Sequence, residues 1–198
     1  MKNLKKIVLG LMLLLFTINI SFSQITGKVN TDASKAKYKA NTVVYIEKAN
    51  GTFAPPAKHP TMNQKSLVFI PHVLPVLAGT LVDFQNSDDV LHNVFCPDAC
   101  CKFDLGSYPK GVVKSQKFSK AGCQSVILCN VHPEMEAYVV VLQNPYFAIT
   151  DKDGNYKISN VPPGNYVLKV WNEKLKSKDQ AIVVPASKSL VVNFNLAK

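Results

Sequence analysis

The chain has 198 residues, five cysteines and a net charge of +10 at pH 7, and all 23 of its basic residues are lysine. Without arginine it lacks the bidentate fork that binds phosphate, and aromatic residues are not interleaved with the lysines, so the composition argues against nucleic-acid binding. Lysine spread along a chain is typical of a solvated surface, or of one that docks an acidic protein partner.

The N-terminus has the organisation of an export signal. Lysines at positions 2, 5 and 6 precede the apolar run Ile7–Phe16, and Ser21-Phe22-Ser23 is typical of a small-residue cleavage site. The apolar run is short for a membrane span, and no cysteine follows it for lipid attachment. We predict a signal peptide over residues 1–23, export to the periplasm or cell envelope, and no stable membrane insertion after cleavage.

Almost every later segment has the composition of a β-strand. β-Branched and aromatic residues recur in short runs, and turn residues such as Asn50-Gly51 separate them. The predicted strands are Ile25–Val29, Thr42–Ile46, Ser66–Ile70, Thr80–Phe84, Val90–Phe95, Gln124–Leu128, Ala137–Leu142, Tyr156–Val161, Tyr166–Trp171, Gln180–Val184 and Leu190–Leu196. Residues 51–65 contain three prolines and are predicted to be a loop. Short strands at regular spacing are typical of antiparallel sandwiches, so we predict an all-β fold.

The stretch Cys129–Met135 places a thiol, an imidazole and a thioether within seven residues. Soft sulfur ligands together with imidazole favour copper, ahead of zinc or an iron–sulfur centre. Ordinary packing in a sandwich core is the weaker interpretation, because His and Glu are uncommon in cores and Pro133 favours a loop. A blue-copper site needs a second histidine from elsewhere in the chain.

His92 is the best second histidine. It follows the turn Asn86–Asp89 and opens a strand, where its side chain can face the loop of a neighbouring strand. His59 and His72 have no second ligand type beside them, so we expect the first to be solvated and the second to be a hydrogen-bonded or surface residue.

The resulting ligand set has the composition of a blue-copper site. His92, Cys129 and His132 would supply a trigonal plane for one copper ion, with Met135 as a weak axial ligand. Asn93 is placed to tie the first ligand's strand to the ligand loop through a hydrogen bond that orients the ligands.

Four further cysteines remain, and in an exported chain they can form disulfides. They are Cys96, Cys100, Cys101 and Cys123. Three pairings are open, and we expect at least one bridge to tie Cys123 to the Cys96–Cys101 cluster. A second, thiolate-rich copper site at Cys96, Cys100 and Cys101 is the alternative, although neither His nor Met accompanies them.

These motifs resemble those of the cupredoxins, the plastocyanin and amicyanin group. His92-Asn93-Val94 resembles the first-ligand motif of that family, and Cys129-x-x-His132-x-x-Met135 resembles the spacing in amicyanin. Over residues 62–143 the resemblance implies a Greek-key β-sandwich that binds one type 1 copper ion. The implied ligands are His92, Cys129, His132 and Met135. It also implies that Asn93 braces the loop and that single electrons pass through the exposed edge of His132.

The C-terminal part resembles a second module. Ile149–Tyr156 and Val161–Tyr166 resemble the carboxypeptidase regulatory-like, transthyretin-like β-sandwich, which is usually structural. We predict a cupredoxin-containing region over residues 24–143 and this small sandwich over residues 144–198. In the alternative, residues 24–50 supply the first strands of the small sandwich, and the cupredoxin portion is inserted into it.

The predicted function is that of an exported blue copper protein that carries single electrons between redox partners, such as a c-type cytochrome or an electron-donating oxidoreductase. A copper-delivery or buffering protein without redox traffic is the second hypothesis, and a metal-free structural sandwich at the cell surface is the third. An enzyme is not expected, because Cys129 and His132 lie in one loop without a third group to orient them as nucleophile and base. Four ligands would also leave copper without an open position for a substrate.

Overall fold

The computed structural model describes residues 22–186 and 188–198, which form β-strands and one short 3₁₀ helix, Ala33–Lys39. The strands are β1 (Ser23–Asn30), β2 (Val43–Ile46), β3 (Thr61–Lys65), β4 (Val68–Ile70), β5 (Val73–Leu77), β6 (Thr80–Asn86), β7 (His92–Cys96), β8 (Phe103–Tyr108), β9 (Val113–Phe118), β10 (Gln124–Leu128), β11 (Glu136–Leu142), β12 (Phe147–Ile149), β13 (Asn155–Val161), β14 (Gly164–Trp171), β15 (Gln180–Val184), β16 (Leu190–Val191) and β17 (Phe194–Asn195). The all-β prediction is confirmed. The predicted signal falls largely on residues 1–21, outside the described residues, and its last residue, Ser23, begins β1.

The strands form four sheets, which pack as two sandwiches. In the first, the inserted sandwich, sheets β4-β3-β6-β9 and β5-β11-β10-β7-β8 contribute to one core. In the second, the split sandwich, sheets β12-β2-β14-β15 and β13-β1-β16, with β17 also paired to β1, contribute to another. β1 and β2 therefore pair with strands of the C-terminal part, on the far side of the inserted sandwich in sequence. This pairing agrees with the alternative in which residues 24–50 supply first strands of the small sandwich.

Buried and more exposed side chains alternate along strands of the inserted sandwich, and the buried ones form its core. β6 buries every second residue, as expected for a strand whose successive side chains point to opposite faces. Phe84 of β6 and Phe118 of β9 are buried with their ring centroids 6.4 Å apart. Burial of such a side chain contributes about 1.5–3 kcal/mol. The same apolar cluster includes Cys129 and Met135, so the predicted ligand loop is attached to a packed core.

A third apolar cluster joins the two sandwiches. Its buried members are Val43, Val73, Val140, Leu142 and Trp171. The Trp171 ring lies 5.2 Å from the ring of Tyr138 on β11. Beside this contact, His72 Nε2 lies 3.0 Å from Glu173 Oε2, and His72 Nδ1 lies 3.1 Å from the Glu136 carbonyl oxygen. Both ring nitrogens of His72 thus have partners within the protein.

Several elements differ from those predicted. Residues 61–65, predicted to be a loop, form β3, which lies between β4 and β6 and buries Met62 and Gln64. β5, β8, β9 and β12 were also not predicted, and β5 contains Pro75, which an edge strand tolerates because no ladder donor is needed there. The run Leu190–Leu196 forms two short strands, β16 and β17, each parallel to β1. His59, expected to be solvated, is only partly exposed and has its Nδ1 3.0 Å from Asp83 Oδ1.

Candidate metal centre

The predicted ligand loop is the connection between β10 and β11. Leu128 pairs with Glu136 at the base of this hairpin, so residues 129–135 leave the sheet at one end of the inserted sandwich. β7 is the antiparallel neighbour of β10 on its other side, with Phe95 opposite Leu128. The N-terminal end of β7 therefore lies at the same end of the sandwich, and this register brings His92 next to the loop.

Three donor atoms converge there. His92 Nδ1 lies 3.1 Å from His132 Nδ1, and Cys129 Sγ lies 3.9 Å from the former and 4.0 Å from the latter. A point equidistant from the three atoms is about 2.1 Å from each, close to the bond lengths from imidazole nitrogen and thiolate sulfur to a first-row metal ion. Two nitrogen lone pairs at 3.1 Å also repel each other unless a proton or a cation lies between them. The geometry fits a metal ion, and a set of two imidazoles and a thiolate fits copper.

The donors differ in exposure. His92 and Cys129 are buried, with 0% and 3% of their surface exposed, whereas His132 is partly exposed. Met135 is completely buried in the same apolar cluster as Cys129, and its N–H group donates to the carbonyl oxygen of His132 over 3.0 Å. The structure thus holds the predicted axial ligand in the core at the end of the sandwich where the donors meet.

Asn93 connects the two segments that carry the donors. Its backbone N–H donates to Cys129 Sγ over 3.4 Å, and its side-chain Oδ1 accepts from the N–H of Asn130 over 3.2 Å. Its Nδ2 donates to Asp104 Oδ1 on β8 over 2.7 Å. The two side-chain bonds fix the orientation of the strand relative to the loop.

Asp88 orients the ring of the buried histidine. Its Oδ2 lies 2.9 Å from His92 Nε2, and its carboxylate accepts from the N–H groups of Ser66 and Leu67 over 2.6 and 3.0 Å. Partial burial opposes ionisation, but hydrogen bonds from Leu67, His92 and Ser66 hold the pKa of Asp88 below its ordinary value of 3.8. Because an ionised carboxylate can only accept, the proton of neutral His92 lies on Nε2, and Nδ1 presents its lone pair to the other donors.

Sequence reasoning did not find Asp88, Asp104 or Tyr108. The sequence places Asp88 in a turn, and its position four residues before His92 is the signal that points to its role. Tyr108 pairs with His92 across the sheet, and burial raises its pKa well above the ordinary range, so it stays neutral beside the site. Its hydroxyl accepts from Gln64 over 2.8 Å and donates to a backbone carbonyl over 3.2 Å.

The other four cysteines form disulfides at the opposite end of the same strands. Cys96 bonds to Cys101, and Cys100 bonds to Cys123. Cys96 ends β7, and Cys123 immediately precedes β10, so the bridges are remote from the ends that carry the donors. No thiolate of this cluster is left for the alternative copper site, and Cys129 is the free cysteine of the described chain.

Comparisons with known proteins give two resemblances. A family model described as a carboxypeptidase regulatory-like domain matches residues 133–197. A purple cupredoxin from Nitrosopumilus maritimus is 22% identical at a TM-score of 0.37, with 41% of this chain and 98% of that chain covered. The reduced form of an amicyanin variant is 20% identical at a TM-score of 0.41, and the match covers 51% of this chain and 98% of the amicyanin chain. The chain resembles both kinds of module.

A copper-containing nitrite reductase from Thermus scotoductus SA-01 is also similar, with 26% identity and a TM-score of 0.42 over 50% of this chain and 25% of that one. No curated protein sequence matches the chain. Within the described residues, no helix has the length and apolar character needed to cross a membrane.

Proposed function

We propose that this chain is an exported type 1 copper protein that carries single electrons between redox partners. The observation that supports the proposal is the convergence of His92 Nδ1, His132 Nδ1 and Cys129 Sγ around one point. Copper held by these three residues, with Met135 as a weak axial ligand, would supply a one-electron couple between its Cu(I) and Cu(II) states.

The protein fixes the donors through its own hydrogen bonds. Asp88 orients His92, and Asn93 orients Cys129 and the backbone that follows it. Both of these supporting residues belong to β7 or the turn before it, which is attached to the packed core. Such a frame limits rearrangement of the donors when an electron arrives or leaves, and this favours rapid transfer.

His132 is the proposed route to a partner. Of the three donors it is the one with partial exposure, and its neighbours Val131, Pro133 and Glu134 are exposed. A partner that covers this loop would contact the edge of the imidazole ring while the thiolate stays buried. A c-type cytochrome or an electron-donating oxidoreductase has the one-electron chemistry that this role requires.

We propose a carrier rather than an enzyme. Met135 is buried and follows Cys129 and His132 in the same loop, and in this proposal it is the fourth ligand. A metal with four protein ligands would have no open position for a substrate. The export signal proposed for residues 1–23 would place the carrier in the periplasm or cell envelope.

Visible and electron-paramagnetic-resonance spectra after addition of one equivalent of copper(II) test the proposal. We expect an intense visible band with narrow copper hyperfine splitting, because the thiolate is the charge-transfer donor. Cys129→Ser should abolish the band, whereas His59→Ala, which removes a histidine outside the centre, should leave it unchanged. A colourless complex, or a band that persists in Cys129→Ser, would refute the site.

Electron exchange separates a carrier from a copper-delivery protein. A carrier should be oxidised and reduced repeatedly by a c-type cytochrome without loss of metal, which stopped-flow absorbance and metal analysis can follow. Loss of copper to the partner at each cycle would instead support delivery.

A further inference from the structure

The two disulfides lie in different electrostatic environments. Cys96 is 1% exposed, and its Sγ lies 3.8 Å from Asp98 Oδ2. Cys123 is 4% exposed, but its Sγ lies 3.1 Å from the hydroxyl oxygen of Ser125, which is itself buried. A neighbouring carboxylate disfavours a thiolate, whereas a hydroxyl donor favours it. Cys123 is therefore the better leaving group of the two buried sulfurs.

The other cysteine of each bridge is less buried. Cys100 and Cys101 are partly exposed and border a hollow of about 340 Å³. Exposed lysines that also border it are Lys102, Lys117 and Lys120. Positive charge stabilises thiolates and attracts an incoming one. Asp98 borders a neighbouring hollow beside Cys100, but Lys120 borders that hollow too.

We propose that Cys100–Cys123 is a thiol–disulfide exchange site for a dithiol, and that Cys96–Cys101 is a structural bridge. A thiolate of the dithiol attacks Cys100 Sγ, the bond to Cys123 breaks, and Cys123 leaves as a thiolate beside Ser125. The second thiolate of the dithiol then attacks the sulfur of the first, which releases Cys100. The dithiol loses two electrons and two protons and becomes a disulfide, and the cysteine pair gains them as two thiols.

The structure also shows a competing route. Sγ of Cys101 lies within 4.8 Å of Sγ of both Cys100 and Cys123, so a newly released thiolate can attack it. That step would expel Cys96 as a thiolate next to the carboxylate of Asp98, which opposes it. The reduced pair therefore stays at Cys100 and Cys123. This site is separate from the metal centre and does not rest on the function proposed for it.

Differential alkylation of the full chain tests the assignment. The protein is treated under argon with a fixed excess of reduced dithiothreitol, samples taken over time are blocked with N-ethylmaleimide, and mass spectrometry measures the label at each cysteine. We expect Cys100 and Cys123 to be labelled together at least about tenfold faster than Cys96 and Cys101. Equal rates, faster labelling at Cys96 and Cys101, or no labelling before the protein unfolds would overturn the proposal.

Two variants distinguish this chemistry from a purely structural bridge. Ser125→Ala should slow the reduction of Cys100–Cys123 by about threefold to tenfold, because it removes the hydrogen bond from the Ser125 hydroxyl to the leaving sulfur. Ser119→Ala removes the hydroxyl of a serine that borders the hollow of Cys100 and Cys101 and makes no described hydrogen bond to sulfur, so this control variant should have no effect. Asp98→Asn should accelerate the reduction of the other bridge. Unchanged rates in both Ser125→Ala and Asp98→Asn would refute the electrostatic explanation.

Discussion

Asn93→Ala is expected to weaken both the inserted sandwich and the metal centre. The side chain is 3% exposed, and the substitution removes a 2.7 Å bond to the carboxylate of Asp104 and a 3.2 Å bond from the N–H of Asn130. A hydrogen bond to a charged group contributes about 1.5–3 kcal/mol and a neutral one about 1 kcal/mol. Asp104 and Asn130 are exposed and can bond to water instead, so we expect a loss of about 1–2.5 kcal/mol in the free energy of unfolding.

Urea unfolding of the metal-free protein, followed by circular dichroism, measures the first effect. Copper affinity, measured by competition with a chelator, should fall by about tenfold to a hundredfold, because groups that orient ligands commonly have this influence. The backbone N–H of Asn93 still reaches Cys129 Sγ, so the visible band should be retained in the variant. Loss of affinity with retention of colour is the expected signature of an orienting residue.

A double-mutant cycle with Asp104→Ala provides the control. If the two side chains act through their shared hydrogen bond, the cycle should give a coupling energy of about 0.5–1.5 kcal/mol. The reasoning fails if Asn93→Ala unfolds within about 0.3 kcal/mol of the wild type and binds copper with unchanged affinity.

Three further predictions concern other residues. Met135→Gln should retain copper but lower the reduction potential, which voltammetry measures, and an unchanged potential would remove Met135 from the ligand set. Asp88→Asn keeps the shape but not the charge beside the ligand imidazole, and should weaken copper binding about tenfold in chelator competition, while equal affinity would show that the charge is not needed. A hydrogen bond from Ser115 is the main cause that holds the pKa of Asp83 below 3.8 in the folded protein. The ionised Asp83 carboxylate therefore stabilises the fold fully above pH 3.8, and this stabilisation is lost as the pH falls through the lower pKa of the folded state. Asp83→Asn should therefore reduce the loss of unfolding free energy between pH 5 and pH 3 in urea titrations, and an unaltered pH profile would contradict this.

The sequence predicts best those strands whose own residue types and flanking turn residues mark them as strands. β10 and β15 have the predicted bounds, because β-branched residues recur in each and turn residues flank them. β3 could not be found in this way. Its sequence, Thr-Met-Asn-Gln-Lys, is mostly polar, and it becomes a strand because it pairs with β4 on one side and β6 on the other. β4 follows after only two residues, but the pairing with β6 joins Thr61 to Asp83, and no local pattern records that contact.

Some residues of the metal centre can likewise be predicted from a local motif, whereas others depend on the fold. Cys129, His132 and Met135 lie in one short stretch, so their residue types alone indicated the chemistry. Asp88 was missed because its role depends on the register that brings the β3–β4 turn against it, where Ser66 and Leu67 donate their N–H groups. The disulfide pairing depends likewise on the positions of β7 and β10 in the sheet, which cysteine spacing does not specify.

The two sandwiches are joined where the chain enters and leaves the inserted one, at the far end of the strand that follows the ligand loop. The chain enters the inserted sandwich after Ala49 and leaves it at Gln143, and these two residues exchange hydrogen bonds of 3.0 and 3.2 Å. The buried side chain of Asn144 donates to the carbonyl oxygen of Ile46 over 2.9 Å, so entry and exit are joined directly. β11 follows the ligand loop and ends at this junction, and its buried Val140 and Leu142 pack in the cluster shared by both sandwiches. The strand that follows the ligand loop is therefore held at its far end by the split sandwich, while most of the loop itself lies at the surface.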